Sequence, residues 1–331
     1  MSELYPFLMQ PLFDPRPWGT YDLSPIYPRL FTEKIGESWL TGDHCKVQNG
    51  PLAGKSLAEL SSRYKRELVG EAPLEDNRFP LLAKFLFPHE KLSVQVHPDD
   101  DDARAIGEPC GKTECWYVAH AQPDAEIGLG LKPGTTRAQF EKAIQENRAE
   151  ELLNWVKLSP GDMIYVAGGT VHTLGPGSII VETQQQSDTT FRLYDYGRPR
   201  ELHLDHGLRV IKEKPGSGKV KAQPFAKLGA NGNRVVTLVA SRFFTVEKFE
   251  LHGEEEFRLN RSKVSAQIVV AIEGSAELHA PEFEGLSFAK GDAVVVPAAI
   301  PQFRVRPKGR VEFLKSYVPG EKIAPPQTSL G

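Results

Sequence analysis

The stretch that decides the fold is Ser159-Pro-Gly-Asp-Met-Ile-Tyr-Val-Ala-Gly-Gly-Thr-Val-His-Thr-Leu174. A Pro-Gly-Asp turn precedes four apolar residues, Met163 to Val166, and a Gly-rich turn follows them. Short apolar runs bounded by Gly and Pro are typical of β-strands joined by tight turns. The stretch therefore predicts two short strands, and the second strand carries His172.

The same pattern returns later in the chain. Lys290-Gly-Asp-Ala-Val-Val-Val-Pro-Ala-Ala-Ile-Pro-Gln302 aligns with the stretch from Pro160 to His172 and places Gln302 where the first copy has His172. Such a repeat indicates an internal duplication of one β unit. Because the second copy has lost the imidazole, we expect its unit to be metal-free.

A third stretch, Lys91-Leu-Ser-Val-Gln-Val-His-Pro-Asp-Asp100, places Gln95 and His97 two residues apart in an alternating run. On a strand these two side chains share one face, and the valines on either side of Gln95 point to the other. Polar groups on a packed face need partners, and a bound metal ion would supply one. A single strand histidine is more often a hydrogen-bonded structural residue, so His97 needs support from elsewhere.

Glu114 supplies that support, because it opens another strand-like run from Glu114 to Val118. Gln95, His97, Glu114 and His172 together make a set of two imidazoles, one carboxylate and one amide. Imidazole and carboxylate ligands suit zinc, and manganese, iron or cobalt are chemically possible.

The turn, strand, Gly-rich turn and histidine of the first stretch resemble the second sequence motif of cupin barrels. With the other stretches, the chain resembles the type I phosphomannose isomerases in their short bacterial form, up to about residue 210. The remaining third matches only in its general barrel pattern. The stretches that carry the resemblance are Arg16-Pro-Trp-Gly19, Ile35-Gly-Glu-Ser-Trp39, Arg78-Phe-Pro-Leu-Leu82, Leu92-Ser-Val-Gln-Val-His-Pro98, Gly111-Lys-Thr-Glu-Cys-Trp-Tyr117, Gly169-Thr-Val-His172 and Glu182-Thr-Gln-Gln-Gln-Ser-Asp-Thr-Thr-Phe-Arg-Leu-Tyr-Asp-Tyr196.

The resemblance implies a mainly β fold of two cupin-type barrels (jelly rolls) with a small helical portion. It implies one Zn²⁺ per chain, held by Gln95, His97, Glu114 and His172. It also implies interconversion of mannose 6-phosphate and fructose 6-phosphate through an enediol or enediolate. Arg192 would be a catalytic arginine, with Lys112, Glu182 and Asp188 near the sugar.

The residues themselves suit that chemistry but leave some roles open. An aldose–ketose isomerase needs a base within reach of the moving proton and a positive charge near the two oxygens. Arg192 is permanently cationic, and its alternative role is an ion pair with Asp188 or Asp195. Glu182 and Asp188 are both candidates for the base, and the sequence does not choose between them.

Substrate contacts are expected from Lys112 and, on the adjoining strand region, from Lys84 and Ser93. The alternative for Lys112 is a solvated loop lysine. The sequence contains no GxxxxGK phosphate loop. Phosphate recognition would therefore rest on separate Lys, Arg and Ser side chains.

The pattern predicts three regions. Residues 1–211 form the metal-binding catalytic domain, residues 212–224 are a charged Gly- and Pro-containing linker, and residues 225–331 form the metal-free β domain. Apolar residues at helical spacing predict helical segments near 56–69, 135–156 and 203–211, the second of them divided near Asn147.

Composition narrows the classes of partner. The 331 residues are 40% hydrophobic and 25% charged with a net charge of −3, so nothing favours binding to nucleic acid or membrane. No signal peptide is visible, and the three cysteines form no CxxC pair. We expect a cytoplasmic protein that acts on a small sugar phosphate as a monomer or homodimer.

Two other functions fit parts of the pattern. A different metal-dependent cupin enzyme, such as an oxygenase, would favour several histidines around iron, and both Gln95 and the segment around Arg192 argue against it. A non-catalytic sugar-phosphate-binding cupin would keep the barrel without turnover, and the complete ligand set argues against that.

Overall fold

The computed structural model describes residues 3–72, 78–229, 232–254, 256–260, 265–300, 302–320 and 323–330. Strands dominate this part of the chain, and they form three sheets in which all pairs are antiparallel. The prediction of a mainly β protein is confirmed. The helices are few and short.

One sheet of eight strands holds much of the N-terminal half. Its spatial order is β2 (Leu12–Leu23), β3 (Tyr27–Trp39), β5 (Leu81–Leu86), β12 (Ser178–Gln185), β7 (Glu114–Ala121), β10 (Met163–Val166), β14 (Gly218–Val220) and β23 (Thr328–Ser329). A second sheet of five strands has the order β13 (Phe191–Tyr194), β6 (Val94–Val96), β11 (His172–Leu174), β8 (Glu126–Leu131) and β9 (Leu153–Lys157).

The third sheet has ten strands and holds most of the C-terminal part. Its main path is β15 (Ala226–Lys227), β16 (Arg234–Ala240), β17 (Thr245–Gly253), β22 (Gln302–Tyr317), β19 (Gln267–Ala280), β21 (Ala293–Val296), β1 (Phe7–Gln10) and β4 (Lys46–Val47). Two further strands branch from it, β18 (Phe257–Asn260) against β22 and β20 (Phe283–Ala289) against β19.

The helices are α1 (Leu57–Tyr64), α2 (Arg66–Val69), α3 (Asp100–Ala105), α4 (Arg137–Gln145) and α5 (Leu204–Val210), with a 3₁₀ turn at Ala149–Leu152. Capping boxes start α1 at Ser56 and α4 at Thr136. In each, the cap hydroxyl accepts from the backbone three residues on, which satisfies a donor that the helix leaves unpaired.

The last part of the predicted helical segment 135–156 is not helical in the structure. Asn147 has a positive φ of 58°, a short 3₁₀ turn follows, and Leu153 begins β9 instead. Val156 pairs with Ile127 of β8, and both are buried. Pairing with a neighbouring strand has here overridden the local helical spacing.

Strand pairing crosses the boundaries predicted at 211 and 224 in two places. β1 lies near the N-terminus but pairs with β21, so Phe7 lies opposite Val295 in the third sheet. β14 lies inside the stretch predicted as a linker, yet it joins the edge of the eight-stranded sheet through β10 and also pairs with β23. The division into 1–211, 212–224 and 225–331 stays a prediction.

The largest core cluster joins the first and third sheets. Phe7 and Phe85 from the N-terminal half pack in the same cluster as Phe244 and Leu314. A separate apolar cluster fills the third sheet around Phe303 and Phe313. Within the described residues, no helix is long and apolar enough to cross a membrane.

The first prediction concerns the N-terminal strand. Phe7 is fully buried, so Phe7→Ala should lower the free energy of unfolding by about 3–5 kcal/mol through lost burial and a cavity. Chemical denaturation measures this loss. Leu30→Ala is the control, because Leu30 is 80% exposed and its truncation should cost less than about 0.5 kcal/mol. Equal effects of the two substitutions would contradict the role given to β1.

Candidate active site

Three of the predicted site residues lie side by side because their strands are neighbours. β6 is flanked by β11 and β13, which makes His172 and Arg192 the register partners of Gln95 on its two sides. Directly opposed residues in an antiparallel pair project from the same face. The sequence stretches that carry the amide, the imidazole and the guanidinium thus converge by strand pairing.

The Gly-rich turn before His172 allows this convergence. A Cβ on Gly168 would lie 2.6 Å from the Asp99 Cα, and Gly169 has a φ of +90°. The Gly169 amide donates to the His97 carbonyl at 2.7 Å. The turn can therefore pack directly against the segment that follows His97, which only glycine permits.

His97, Glu114 and His172 form a cluster whose ligand atoms all lie within 4.8 Å of one another. The His97 Nε2 atom lies 3.6 Å from Glu114 Oε2, and His172 Nε2 lies 3.4 Å from Glu114 Oε1. All three side chains are at most 2% exposed. The Gln95 amide reaches the cluster, with its Nε2 atom 3.3 Å from His172 Nε2.

Backbone carbonyls fix the tautomer of both histidines. His97 Nδ1 lies 2.9 Å from the Thr189 carbonyl oxygen, and His172 Nδ1 lies 2.9 Å from that of Thr170. A carbonyl only accepts, so each Nδ1 carries the proton and each Nε2 lone pair faces the cluster. Burial and the Lys112 ammonium lower the pKa of His97 well below its usual value. Burial lowers the pKa of His172 to about 4.

These features fit a metal ion. Glu114 Oε2 is buried and has no hydrogen-bond partner among the described residues, which is costly for a carboxylate oxygen unless a cation satisfies it. Burial raises the pKa of Glu114, although the Lys112 ammonium, 3.4 Å from Oε2, opposes this. Neutral imidazoles beside a carboxylate are a donor set that zinc accepts. A half-turn of the Gln95 amide would present its oxygen to the same point.

The cluster borders a polar cavity of about 450 Å³. Eight of the ten predicted site residues line this cavity, while His97 and His172 join the site through Glu114. The eight are Gln95, Glu114, Lys112, Glu182, Asp188, Arg192, Lys84 and Ser93. Ser93 also donates to the Gln95 Oε1 atom at 3.3 Å. The structure therefore gathers residues from four separate stretches around one space.

The two candidate bases differ in environment. Glu182 is buried, and its Oε2 atom accepts from Trp116 Nε1 at 3.1 Å. Burial raises the pKa of Glu182, although the Lys84 ammonium opposes this. Asp188 also lines the cavity but is exposed. Of the two, Glu182 is the carboxylate held away from water.

Lys84 is paired rather than free. Its Nζ atom donates to Glu37 Oε2 at 3.1 Å and lies 3.3 Å from Glu182 Oε1. Burial alone would raise the pKa of Glu37, but Lys84 and Arg16 outweigh it and lower that pKa to about 2. The sequence assigns no role to Glu37 or Arg16, although both lie in stretches that carry the family resemblance, Ile35 to Trp39 and Arg16 to Gly19.

Arg192 does not make either of the ion pairs considered from the sequence. Its Nη1 atom donates to the Glu201 carbonyl at 2.7 Å, and Asp195 instead pairs with Arg200 and Arg198 at 2.6 and 2.9 Å. The Arg192 Nε atom is buried without a hydrogen-bond partner in the described structure. Burial and the nearby Arg200 guanidinium lower the pKa of Arg192.

Arg16 and Arg200 line the same cavity as Arg192, and neither was among the predicted site residues. The stretch Arg16-Pro-Trp-Gly19 was a usable signal for the first. For Arg200 the sequence offered only its spacing of five from Asp195. The cavity thus brings Arg16 together with two guanidinium groups from a distant part of the chain.

A buried His–Glu–His cluster beside a polar cavity, set among antiparallel sheets, defines a candidate metal enzyme of the cupin type. Residues 234–318 match a family described as mannose-6-phosphate isomerase, cupin domain, and residues 27–142 match phosphomannose isomerase type I, catalytic domain. The chain is 36% identical over 327 residues to mannose-6-phosphate isomerase ManA of Bacillus subtilis, covering 95% of this chain and 99% of that protein. It belongs to the mannose-6-phosphate isomerase family.

Solved structures agree with that assignment. The crystal structure of the mannose 6-phosphate isomerase from Bacillus subtilis superposes with a TM-score of 0.83 at 33% identity, covering 95% of this chain and 99% of the other. A zinc-bound mannose 6-phosphate isomerase shares the fold, with a TM-score of 0.75 at 16% identity and coverage of 95% and 99%. The resemblance seen in the sequence is confirmed.

The second prediction concerns the cluster. His172→Ala should abolish stoichiometric zinc binding, because it removes one imidazole and leaves the Glu114 carboxylate poorly compensated. Metal analysis after dialysis against trace zinc measures this. His279→Ala is the control, because His279 lies on β19 of the third sheet and near Glu277, away from the cluster. Full zinc retention by His172→Ala would show that the cluster is not the metal site.

Proposed function

We propose that this chain is a zinc-dependent isomerase that interconverts D-mannose 6-phosphate and D-fructose 6-phosphate. The observation that carries the proposal is a single cavity bordered by a buried His–Glu–His cluster, a buried carboxylate and several guanidinium groups. Family membership supports the same reaction.

The walls suit a sugar phosphate. Hydroxyl-rich ligands need many hydrogen-bonding groups, and this cavity is lined mainly by polar and charged side chains. Its volume lies within the range of small-molecule sites. Arg16, Arg192 and Arg200 supply positive charge for a phosphate dianion, and guanidinium groups match phosphate oxygens in geometry.

The metal residues would be Gln95, His97, Glu114 and His172. When bound there, zinc supplies Lewis-acid stabilisation of negative charge on substrate oxygens. Zinc is the ion that the donor set and the zinc-bound relative favour.

The remaining chemistry is proton transfer, because the reaction removes a proton from one carbon and returns it to the neighbouring carbon. Glu182 is the favoured base, since burial raises the pKa of its carboxyl and so increases its proton affinity. Asp188 stays the alternative. Lys112 and Arg192 lie on the cavity wall, where their positive charges would stabilise the enediolate.

A coupled assay of purified protein with mannose 6-phosphate, with and without chelator, tests the proposal alongside metal analysis. Chelator-sensitive formation of fructose 6-phosphate, restored by added zinc, supports it. Zinc-loaded protein that binds the sugar phosphate without turnover would favour the non-catalytic alternative. Activity restored only by ferrous iron in air would favour the oxygenase.

The third prediction separates Arg192 from the metal site. Arg192→Ala should lower kcat/KM by about 10²–10³-fold, because it removes a preorganised positive charge, and should keep its zinc. Steady-state kinetics and metal analysis measure both. Arg306→Ala is the control, because Arg306 likewise donates to a backbone carbonyl but lies on β22 of the third sheet. Unchanged kinetics of Arg192→Ala would remove its proposed role.

A further inference from the structure

We propose that Glu37 is a positioning residue that acts through Lys84 on Glu182. Glu37 accepts the hydrogen bond that the Lys84 ammonium donates. One oxygen of the Glu182 carboxylate therefore stays free to accept a proton. Lys84 is then an internal counter-ion and does not bind substrate. This inference rests on the proposed isomerase function and deepens it.

Strand register places Lys84 between the two carboxylates. β5 lies between β3 and β12, where Lys84 is the register partner of Glu182 on one side and of Trp39 on the other. Glu37 comes two residues before Trp39, and so projects from the same face. Lys84 is 4% exposed. Although Lys84 lines the cavity, it is nearly buried, and the two carboxylates that compensate its charge lie on the flanking strands.

The two carboxylates do not share Lys84 equally. Lys84 Nζ makes its hydrogen bond to Glu37 Oε2, whereas Glu182 Oε1 lies at 3.3 Å without a hydrogen bond. Trp39 Nε1 and Arg16 Nε also donate to Glu37, at 2.8 and 3.1 Å. Both oxygens of the Glu37 carboxylate thus accept hydrogen bonds.

Within the described part of the chain, the Trp116 indole is the one hydrogen-bond donor to Glu182, and this bond goes to Oε2. Of the two Glu182 oxygens, Oε1 is therefore the one that accepts no hydrogen bond from the described residues. An oxygen without a fixed donor is the one that can take up a proton, because no existing hydrogen bond must first break.

Removal of the Glu37 charge should redirect Lys84. In Glu37→Gln the ammonium loses its hydrogen-bonded counter-ion, and the carboxylate left beside it is Glu182. Because a buried ammonium needs a hydrogen-bonded anion, Lys84 should then bond to Glu182 Oε1. The base would be occupied and less basic. Arg16 can still donate to the oxygen of the new Gln side chain and stays paired with Asp14 at 2.7 Å, so this phosphate-binding guanidinium should keep its place.

The kinetic test compares Glu37→Gln with a matched control. We expect kcat to fall by about 10–100-fold, with KM within about threefold of the wild-type value and zinc retained. Glu247→Gln is the control, because Glu247 pairs with the buried Lys315 at 2.8 Å in the third sheet. Glu247→Gln should lose about as much thermal stability as Glu37→Gln does, and it should keep the wild-type kcat. Equal kcat values for the two variants would overturn the inference.

A double-mutant cycle tests whether Glu37 acts through Lys84. Lys84→Met should lower kcat, because the buried Glu182 carboxyl would lose its counter-ion and hold a proton. Adding Glu37→Gln to it should change kcat by less than about twofold, because the ammonium to be positioned is gone. If Lys84 binds substrate instead, Lys84→Met should raise KM more than about tenfold with kcat kept. That result would overturn the inference. So would a double variant whose loss of kcat equals the product of the two single losses.

Trp39→Phe is a milder second variant that tests the inference if Glu37→Gln does not fold. It keeps an aromatic ring and removes only the 2.8 Å bond to Glu37 Oε2, so kcat should fall by a smaller factor at unchanged KM. Wild-type kcat in a folded Trp39→Phe would count against the inference. A wild-type protein without isomerase activity would overturn the proposed function and this inference together, whereas an active wild type with unchanged variants overturns the inference alone.

Discussion

The site depends on charged side chains that are buried between sheets and must satisfy one another. Five of these side chains are buried and include charges of both signs, namely Glu37, Lys84, Glu182, Lys112 and Glu114. Isolated ions would be expelled or neutralised there, so each charge requires the next. This requirement links the metal cluster to residues as distant in sequence as Arg16, and it explains why one cavity draws on so many strands.

Sequence reasoning found the parts of the site that lie in compact motifs. Gln95 and His97 share a strand face, and His172 follows a Gly-rich turn, so both patterns are readable from local periodicity. Glu37 and Arg16 lie in equally distinctive stretches, but nothing local shows that they meet Lys84. That meeting is a consequence of β3 pairing with β5, and pairing between separate strands is invisible without the fold.

The fold, like the site, is predictable from the sequence only in part. The mainly β character and the repeated motif were readable, and the second copy indeed forms β21 and the start of β22 around an apolar cluster that includes Val294 and Phe303. The apolar spacing of β9 fits both a helix and a strand, so the sequence alone predicts a helix there. The place of β1 in the third sheet was unpredictable, since four residues with two buried side chains carry no information about their partner.

The pairing of β1 with β21 has a consequence for how the chain reaches its native state. Phe7 is synthesised well before its register partner Val295, because most of the described chain lies between them. Until Val295 has been made, β1 can pair with β4 (Lys46–Val47) but not with β21. Contacts of such large sequence separation slow folding and raise the demand for chaperones during synthesis. The third sheet is thus closed by a contact between segments that lie far apart along the chain.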